Sequence, residues 1–520
     1  MGISTHLWAI TAKRAQMADV GGATRTLTVA TVRGTIYDRK MIPLTNKSNE
    51  YRAAILPNEE LISLVKGAMT TTNYLSLLER LEKGEPAIAR LTKPIPLAQG
   101  MRLFLTPLRY GDKAIAPHVL GYLDNSSQQG VTGVEAAFDE VLASYSGRAT
   151  VSFSVNGNGG YLQTAPLEIT NTLDNKTGGV ALTLDSELQM IAEECAEHVD
   201  KGAILLLNGD TGSVLACASF PSFHPLSVEE SIRQNEGALV NRALRLYDCG
   251  SVFKIVTAAA ALEYGVSPLQ EYCCDGGMTV GNTSFHCHDR LGHQTMDMSS
   301  AFAQSCNLYF IQLAQQVGET ALLNMAYRLG LGEEIELIEG MHATAGVLPS
   351  EQELKTPAAL ANFSFGQGKL LLSPLHIARL TAIVANGGYL PPLQLFKGYV
   401  NEKGELTAAA GDERGERVLS ESTVHTLQNM MRSVVEEGTG QNASVEGVAV
   451  AGKTGTAQTG QYNGGIAVIQ SWFTGYFILN DENYIITVLA EDCETTHKSA
   501  TKAACELINK LIEKEKEQTD

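Results

Sequence analysis

Ser251-Val-Phe-Lys254, then Ser305-Cys-Asn307, then Lys453-Thr-Gly-Thr456, in that order along 520 residues, is the pattern on which the reading of this chain turns. A serine and a lysine three positions apart share one helix face, so a hydroxyl nucleophile meets an amine able to act as its base. Ser251 follows the turn-forming Asp248-Cys-Gly250 and opens an apolar stretch from Val252 to Leu262. At a helix N-terminus its backbone N–H is free to donate, and the helix dipole favours an oxyanion forming there. To accept a proton Lys254 must be largely neutral, which asks for burial and a second nearby cation. Lys453 is the candidate for that cation.

The other two elements complete an acyl-transfer site. Ser305 and Asn307 begin a helical stretch from Leu308 to Val317. There Ser305 is placed to relay a proton to a leaving amine, and Asn307 to hold Lys254 and a substrate amide. Lys453 to Thr456 closes a strand written Val448-Ala-Val-Ala-Gly452. Gly455, without a side chain, lets a peptide pair with this strand edge. The Thr456 N–H is then the second oxyanion donor, beside that of Ser251, and the Thr454 and Thr456 hydroxyls suit a terminal carboxylate. Singly, these elements describe a capped helix, a solvated lysine and a turn lacking the glycine spacing of a phosphate-binding loop. Together and in order they point to acyl transfer.

The bulk composition sets limits on the alternatives. With 44% hydrophobic and 18% charged residues, the chain reads as globular, long enough for two or three domains. A net charge of -18 argues against a nucleic-acid partner. No run approaches the roughly 18 apolar residues of a membrane span, and Met1 to Val20 lacks the apolar region of a signal peptide. His6 to Val20, with Lys13 and Arg14, reads as a short polar helix of the sort that follows a removed anchor, which suggests an engineered or misannotated start; a truly cytosolic protein is the alternative.

Along the chain, residues 27–32 alternate like a strand, short helical stretches surround 59–83, and Gly147 to Tyr161 reads as a flexible or extended connection. Val180 to Asp185 enters a helix capped by Asp185 or Ser186, with 187–199 as its body. Ala203–Leu207 and Ser213–Ser219 form a hairpin across Asn208-Gly-Asp-Thr-Gly212. Helical patterns fill 298–330, 353–386 and 420–437; strands return at 447–456, 470–478 and 484–490, and a helix near 498–516 closes the chain. Two early and three late strands predict one antiparallel sheet assembled from both ends of a domain. Trp472 to Tyr476 reads as its core strand beside the Lys453 strand, and Gly438-Thr-Gly440 as a mobile loop near the cleft.

The triplet resembles the set found in penicillin-binding proteins and β-lactamases. Over nearly its whole length the chain resembles a class B penicillin-binding protein: Arg33-Gly-Thr-Ile-Tyr-Asp-Arg39, His118-Val-Leu-Gly-Tyr122, Gly133-Val-Glu135, the stretch Gly202 to Pro225, Phe365-Gly-Gln-Gly368 and Ser373-Pro-Leu375 carry the likeness. The resemblance implies an α+β fold: a leader at 1–26, an N-terminal α+β pedestal at 27–175, and a transpeptidase domain at 176–520 whose antiparallel sheet is flanked by helices. It implies a D,D-transpeptidase that cross-links peptidoglycan stem peptides ending in D-Ala-D-Ala, is acylated by β-lactams, and works with a membrane glycosyltransferase. Its place would be the extracytoplasmic face of a bacterial membrane, in elongation, division or sporulation. Catalysis would fall to Ser251, Lys254, Ser305, Asn307 and Lys453, with no cofactor needed for chemistry. A non-catalytic scaffold or β-lactam sensor, or a β-lactamase, is the alternative. Three departures stand out: the usual anchor is missing, there is no C-terminal appendage, and Cys249 stands where proline is usual, which should loosen a turn without removing chemistry.

Nine cysteines exclude a complete disulfide framework. Cys195, Cys217 and Cys505 fit core patterns, whereas Cys273, Cys274, Cys287 and Cys306 group together, with His293 nearby. Cys274, Cys287, His293 and Cys306 suffice for a tetrahedral zinc site, and some elongation-type relatives are similar in carrying metal ligands near these positions. A Cys274–Cys287 disulfide or free thiols remain open. His286 and His288 read as loop residues. Arg33, Asp38, Arg39 and Glu135 read as a buried network joining pedestal segments.

Overall fold

The expected hairpin turns on a single side chain: Asn208 Oδ1 accepts the N–H groups of Asp210 and Thr211 and so closes the Asn208–Gly212 turn. The computed structural model describes residues 23–156, 161–162, 165–234, 237–409, 415–463, 466–493 and 500–519; the helix expected at His6 to Val20 lies outside the described residues. In chain order, the elements used below begin with β1 (Thr24–Val32), β2 (Thr35–Tyr37), β3 (Ser48–Ile55), α1 (Glu59–Lys66) and α2 (Thr71–Glu82). Next come β4 (Ala87–Leu91), β5 (Met101–Leu108), β6 (Gly147–Ser154), β7 (Glu168–Asn171), β8 (Gly179–Leu182) and α3 (Ser186–Glu194).

Two small sheets build the N-terminal part. Strands β4-β3-β5 carry α1 and α2 on one face, around Leu61, Val65, Leu77 and Leu81. Strands β1-β6-β7 form the second sheet. Here the expectation for Gly147–Tyr161 fails, because Gly147–Ser154 is a strand paired residue by residue with β1. Its Gly, Ser and Asn content hid an alternation that buries Ala149, Val151 and Phe153 on one face. Residues 157–160 of that stretch lie outside the described residues.

The central sheet joins both ends of the chain as expected. Strands β9 (Gly202–Asn208) and β10 (Val214–Phe220) pair as the hairpin, and β9 then pairs with a late strand, Ile204 opposite Val488. Between them in sequence lie α4 (Lys254–Glu263), β11 (Tyr272–Cys274), β12 (Gly277–Val280), β13 (Thr283–His286) and β14 (Gln294–Met296). There follow α5 (Met298–Ala303), α6 (Asn307–Val317), α7 (Pro374–Ala385), β15 (Phe396–Val400), β16 (Leu406–Ala409) and α8 (Glu421–Glu436). The chain ends in β17 (Ala451–Asn463), β18 (Ile466–Leu479), β19 (Glu482–Cys493) and α9 (Ala500–Thr519). The sheet order is β10-β9-β19-β18-β17, all antiparallel, which leaves β17 as an edge strand among the described residues.

Each face of this sheet has its own core. One face packs against α3 and α9 through Leu188, Ile191, Leu507, Ile508 and Leu511. The other face meets α4, α5, α6 and α8, with Phe253, Phe302, Phe310 and Trp472 fully buried. Helix α4 is buried from Lys254 to Ala261. A helix enclosed on all sides must be small and apolar, and its alanine-rich sequence meets that demand except at Lys254 and at Thr257, whose hydroxyl donates to Ser364 O at 2.8 Å. Helix α3 is capped by Asp185, as the sequence predicts, but ends at Glu194 and continues as a 3-10 turn through His198.

The charged network differs from expectation in its partners. Arg33 and Glu135 do join N-terminal segments, with Arg109 forming two bonds of 2.7 and 2.8 Å to the fully buried Glu135 carboxylate. Asp38 and Arg39 instead reach forward. Asp38 accepts from the Ser186 hydroxyl at 2.7 Å, and Arg39 pairs with Asp185 at 2.8 Å and Glu482 at 2.7 Å. The cause is backbone topology: β2 runs parallel to β8 in a sheet of order β16-β15-β8-β2, which carries residues 35–37 next to 179–182.

Removing one partner of a buried ion pair leaves the other charge uncompensated. Glu135→Ala is therefore expected to lose about 3–5 kcal/mol of stability in urea unfolding. A loss under about 1 kcal/mol would mean that Arg33 and Arg109 rehydrate instead.

Candidate active site

The nucleophile turn is held by backbone contacts and one indole. Ser251 lies on a 3-10 turn, Gly250–Phe253, that runs directly into α4. Gly250 has φ +55° and donates its N–H to Gly366 O at 3.0 Å. A side chain at Gly366, itself at φ +84°, would fall 1.9 Å from Gly250 O, so neither position tolerates a Cβ. From the other side, Trp472 Nε1 donates to Asp248 O at 3.0 Å. The turn at Cys249 is thus closed by two glycines and an indole.

Lys254 Nζ sits at the centre of the site. It lies 3.0 Å from Ser251 Oγ, 3.1 Å from Ser305 Oγ, 2.7 Å from Ser305 O and 2.7 Å from Asn307 Oδ1. Those are four oxygens around a group that has at most three protons. The carbonyl and the amide oxygen can only accept, so they take two N–H bonds. A neutral amine then has one lone pair left, turned toward the two hydroxyls. Burial pushes the Lys254 pKa down to about 7, against a pull in the other direction from Cys306 and Cys287. Lys453 Nζ donates to Ser305 Oγ and to Thr454 O, both at 3.0 Å, and its pKa is also pushed down, first by burial and then by the charge of Lys254. The second amine expected beside Lys254 is in place, with Ser305 Oγ between the two, but it does not act as the expected cation: burial lowers the Lys254 pKa, and burial likewise pushes Lys453 toward its neutral form.

Ser305 adopts φ +53°, in the left-handed region that costs a residue with a side chain about 1–2 kcal/mol. The tight link between α5 and α6 imposes it, closed by the Cys306 N–H on Ala301 O at 2.9 Å, and it leaves the Ser305 carbonyl bonded to Lys254. Gly455 differs from its sequence reading. A Cβ there would meet Cys249 O and Val252 Cγ1, each at 3.0 Å, so the missing side chain admits the nucleophile turn rather than a ligand. The outer edge of β17 remains open to pairing among the described residues.

Ser251, Ser305, Asn307, Thr454, Gly455 and Thr456 line one cleft of about 940 Å³. Sequence reasoning missed Asn362, Asn442 and Gln458 on its wall, since single polar residues in loops or strand ends carry no spacing signal. It placed Gly438-Thr-Gly440 near the cleft but read it as mobile. The segment is pinned instead: Thr439 N–H donates to Ala303 O at 3.1 Å, and the Thr439 and Thr454 hydroxyls lie 2.6 Å apart.

Behind Ser305 the structure gathers the four soft ligands. Cys274 ends β11, Cys287 follows β13, His293 precedes β14 and Cys306 stands at the start of α6; their ligand atoms all lie within 4.8 Å of one another. Cys287 Sγ is 3.9 Å from Cys306 Sγ, while His293 Nδ1 is 3.4 Å from Cys287 Sγ and 3.5 Å from Cys274 Sγ. A tetrahedral ion with sulfur bonds of about 2.3 Å and nitrogen bonds of about 2.0 Å separates its ligands by about 3.8 Å (S to S) and about 3.5 Å (S to N). The arrangement fits a metal. The Cys287 pKa is lowered, foremost by the Cys306 thiol beside it, and that of Cys306 is raised by the same contact. Cys274, Cys287 and Cys306 are separate thiols, with no Cys274–Cys287 disulfide, and Cys273 turns outward to Asp275.

Comparison with known proteins agrees with this geometry. Residues 202–513 match the family model for the penicillin binding protein transpeptidase domain. The chain is 29% identical over 413 residues to Stage V sporulation protein D of Bacillus subtilis, covering 76% of this chain and 61% of that protein. It is 28% identical over 357 residues to Peptidoglycan D,D-transpeptidase FtsI of Escherichia coli K12, covering 67% of this chain and 56% of that protein. The chain thus spans about three-fifths of the length of these curated relatives. Its fold matches the crystal structure of penicillin binding protein 3 from Mycobacterium tuberculosis complexed with aztreonam, with a TM-score of 0.67 at 24% identity, over 95% of this chain and 97% of that one.

Proposed function

The chain belongs to the penicillin-binding protein transpeptidase family, and from that premise we propose that it is a peptidoglycan D,D-transpeptidase working through an acyl-enzyme at Ser251. The single observation that carries this reading is Lys254 Nζ, buried and 3.0 Å from Ser251 Oγ, with its other protons committed to Ser305 O and Asn307 Oδ1. Neutral Lys254 takes the Ser251 proton as Oγ attacks the carbonyl carbon between the two terminal D-alanines. The Ser251 and Thr456 N–H groups receive the oxyanion. When the tetrahedral centre collapses, its C–N bond breaks, and the departing D-alanine amine takes a proton through Ser305, which both lysines can resupply. An acceptor stem-peptide amine then attacks the ester, forms the cross-link and returns Ser251 to its hydroxyl. Thr454 and Thr456 hold the terminal carboxylate near the Lys453 amine.

A β-lactam would undergo the same attack, but its leaving nitrogen stays tethered to the acyl group. No aspartate or glutamate lines the cleft among the described residues, so a water attacking the ester lacks the carboxylate base a β-lactamase would use. A non-catalytic scaffold would not need two buried lysines, both costly to desolvate. No helix among the described residues is long and apolar enough to cross a membrane. Peptidoglycan as substrate nonetheless places the working site on the extracytoplasmic face of a bacterial membrane, and the class resemblance supplies a membrane glycosyltransferase as partner.

We further propose that Cys274, Cys287, His293 and Cys306 hold a structural zinc ion. Zinc bound there would cross-link the segment before α6 to the β11–β14 region, and so fix Ser305 and Asn307. Protein purified without chelator is expected to contain about one zinc per chain by elemental analysis, falling in Cys287→Ser. Absence of metal together with freely titrating thiols would refute the site.

Intact mass after incubation with benzylpenicillin tests the nucleophile. Wild type should gain one drug mass and keep it, and Ser251→Ala should gain none. A transient adduct would indicate hydrolysis, and labelled Ser251→Ala would refute the assignment. The pH profile tests the base. Because Lys254 acts when neutral and its pKa lies near 7, the acylation rate should rise with pH through that value and level off above it. Below it, each pH unit should slow acylation about tenfold. A rate unchanged from pH 5.5 to pH 9, on roughly that span of tested values, would remove Lys254 from the role.

A further inference from the structure

The cleft is electrostatically at odds with the protein around it. The chain carries a net charge of -18, yet among the described residues the cleft wall has no carboxylate, and its one permanently charged side chain is Arg290, with His286 and His288 beside it. None of the ion pairs or hydrogen bonds of the described residues engages the Arg290 side chain. Arg290 is exposed on this cleft wall, where its guanidinium is accessible to a ligand. A guanidinium offers planar, bidentate recognition of a carboxylate, which a point charge does not.

The backbone that carries Arg290 is fixed. Cys287 N–H donates to Gly276 O at 3.0 Å, and Gly292 N–H to Asp289 O at 3.2 Å. A Cβ on Gly276 would lie 2.1 Å from Arg290 O, so that carbonyl seats directly against the β11–β12 link. Cys287 and His293, on either side, belong to the soft-ligand cluster with Cys306, next to Ser305. Arg290 therefore belongs to the Ser305 wall, facing the open edge of β17. A peptide paired along that edge projects alternate side chains away from the strand plane, which gives the wall a means of reading them.

We infer that Arg290, flanked by His286 and His288, recognises a carboxylate on the side chain of the donor stem peptide upstream of its D-Ala-D-Ala terminus. The donor would then carry a diamino dicarboxylic acid at its third position rather than a diamine with a single carboxyl group. The inference deepens the proposed transpeptidase reading and rests on it for the identity of the peptide.

Three synthetic pentapeptides decide it, identical except that the third side chain ends in an amine plus a free carboxylate, an amine plus a carboxamide, or an amine alone. Binding is measured by NMR titration to the full chain carrying Ser251→Ala, which separates recognition from chemistry. The carboxylate peptide should bind about tenfold more tightly than the other two. Arg290→Gln in the same background should erase that preference while leaving the other two affinities unchanged, and Arg290→Lys should restore part of it. Thermal unfolding of the single Arg290→Gln variant, followed by circular dichroism, should match wild type, which shows that the chain remains folded. Equal binding of the three peptides, or an equal loss for all three in Arg290→Gln, would overturn the inference. A carboxylate preference that depends on Arg290, found in a wild type that transfers no donor, would uphold the recognition and overturn the transpeptidase reading instead.

Discussion

The buried amine of Lys254 is the constraint to which the rest of the site answers. Water would solvate a charged ammonium far better than the interior of α4 can, so burial favours the neutral form. Keeping that amine in a buried, mostly apolar helix requires polar partners at close range, and the chain supplies them from a different segment, Ser305 to Asn307. The Ser305 carbonyl reaches Lys254 from a residue at φ +53°, so part of the folding energy of α5 and α6 maintains a strained residue. Strain and burial both work against stability. They coincide at one nitrogen, which is the pattern expected where structure serves chemistry.

Two rigid bodies meet at Ser251. The nucleophile turn belongs to α4 and the core beneath it, whereas Thr454 to Thr456 belong to the edge of the central sheet. Their relative position is set where no side chains intervene: Gly250 against Gly366 on one side and Gly455 against Cys249 on the other. Backbone contacts of this kind cannot be retuned by a rotamer change, so the distance from serine to strand edge is stiffer than any side-chain contact could make it. The third wall, from Cys274 to Cys306, is polar and loop-rich, with short two-stranded pieces that bury little. Such pieces are marginal by themselves, which gives the soft-ligand cluster a clear physical purpose at that place.

Much of this was legible in the sequence, for identifiable reasons. The central sheet announced itself because β9, β10, β18 and β19 are long apolar runs bounded by turn residues, and pairing both ends of the chain was the economical way to bury them. The site residues were legible because a helix fixes the separation of Ser251 and Lys254, and because Cys306 lies inside the Ser305 motif. What stayed hidden was decided by long-range geometry. Strand β6 was obscured by its small polar residues, since its alternation gains meaning only beside β1. Arg39 was assigned to the wrong partners because nothing local reveals that β2 pairs with β8. Arg290 has no motif, and its importance is a matter of which wall it lines.

The lack of carboxylates around the cleft, among the described residues, serves both halves of the proposed chemistry. A carboxylate near Lys254 would stabilise its ammonium form and raise its pKa, disabling the base at neutral pH. The same carboxylate would orient and deprotonate water, and so shorten the life of the acyl-enzyme before an acceptor amine arrived. A site whose bases are amines held neutral by burial avoids both outcomes. It also leaves any carboxylate brought in by a ligand as the best partner for Arg290 on the wall. Slow hydrolysis and recognition of an anionic peptide would both follow, in the proposed chemistry, from one electrostatic choice: a cleft without acidic side chains among its described residues, in an acidic protein.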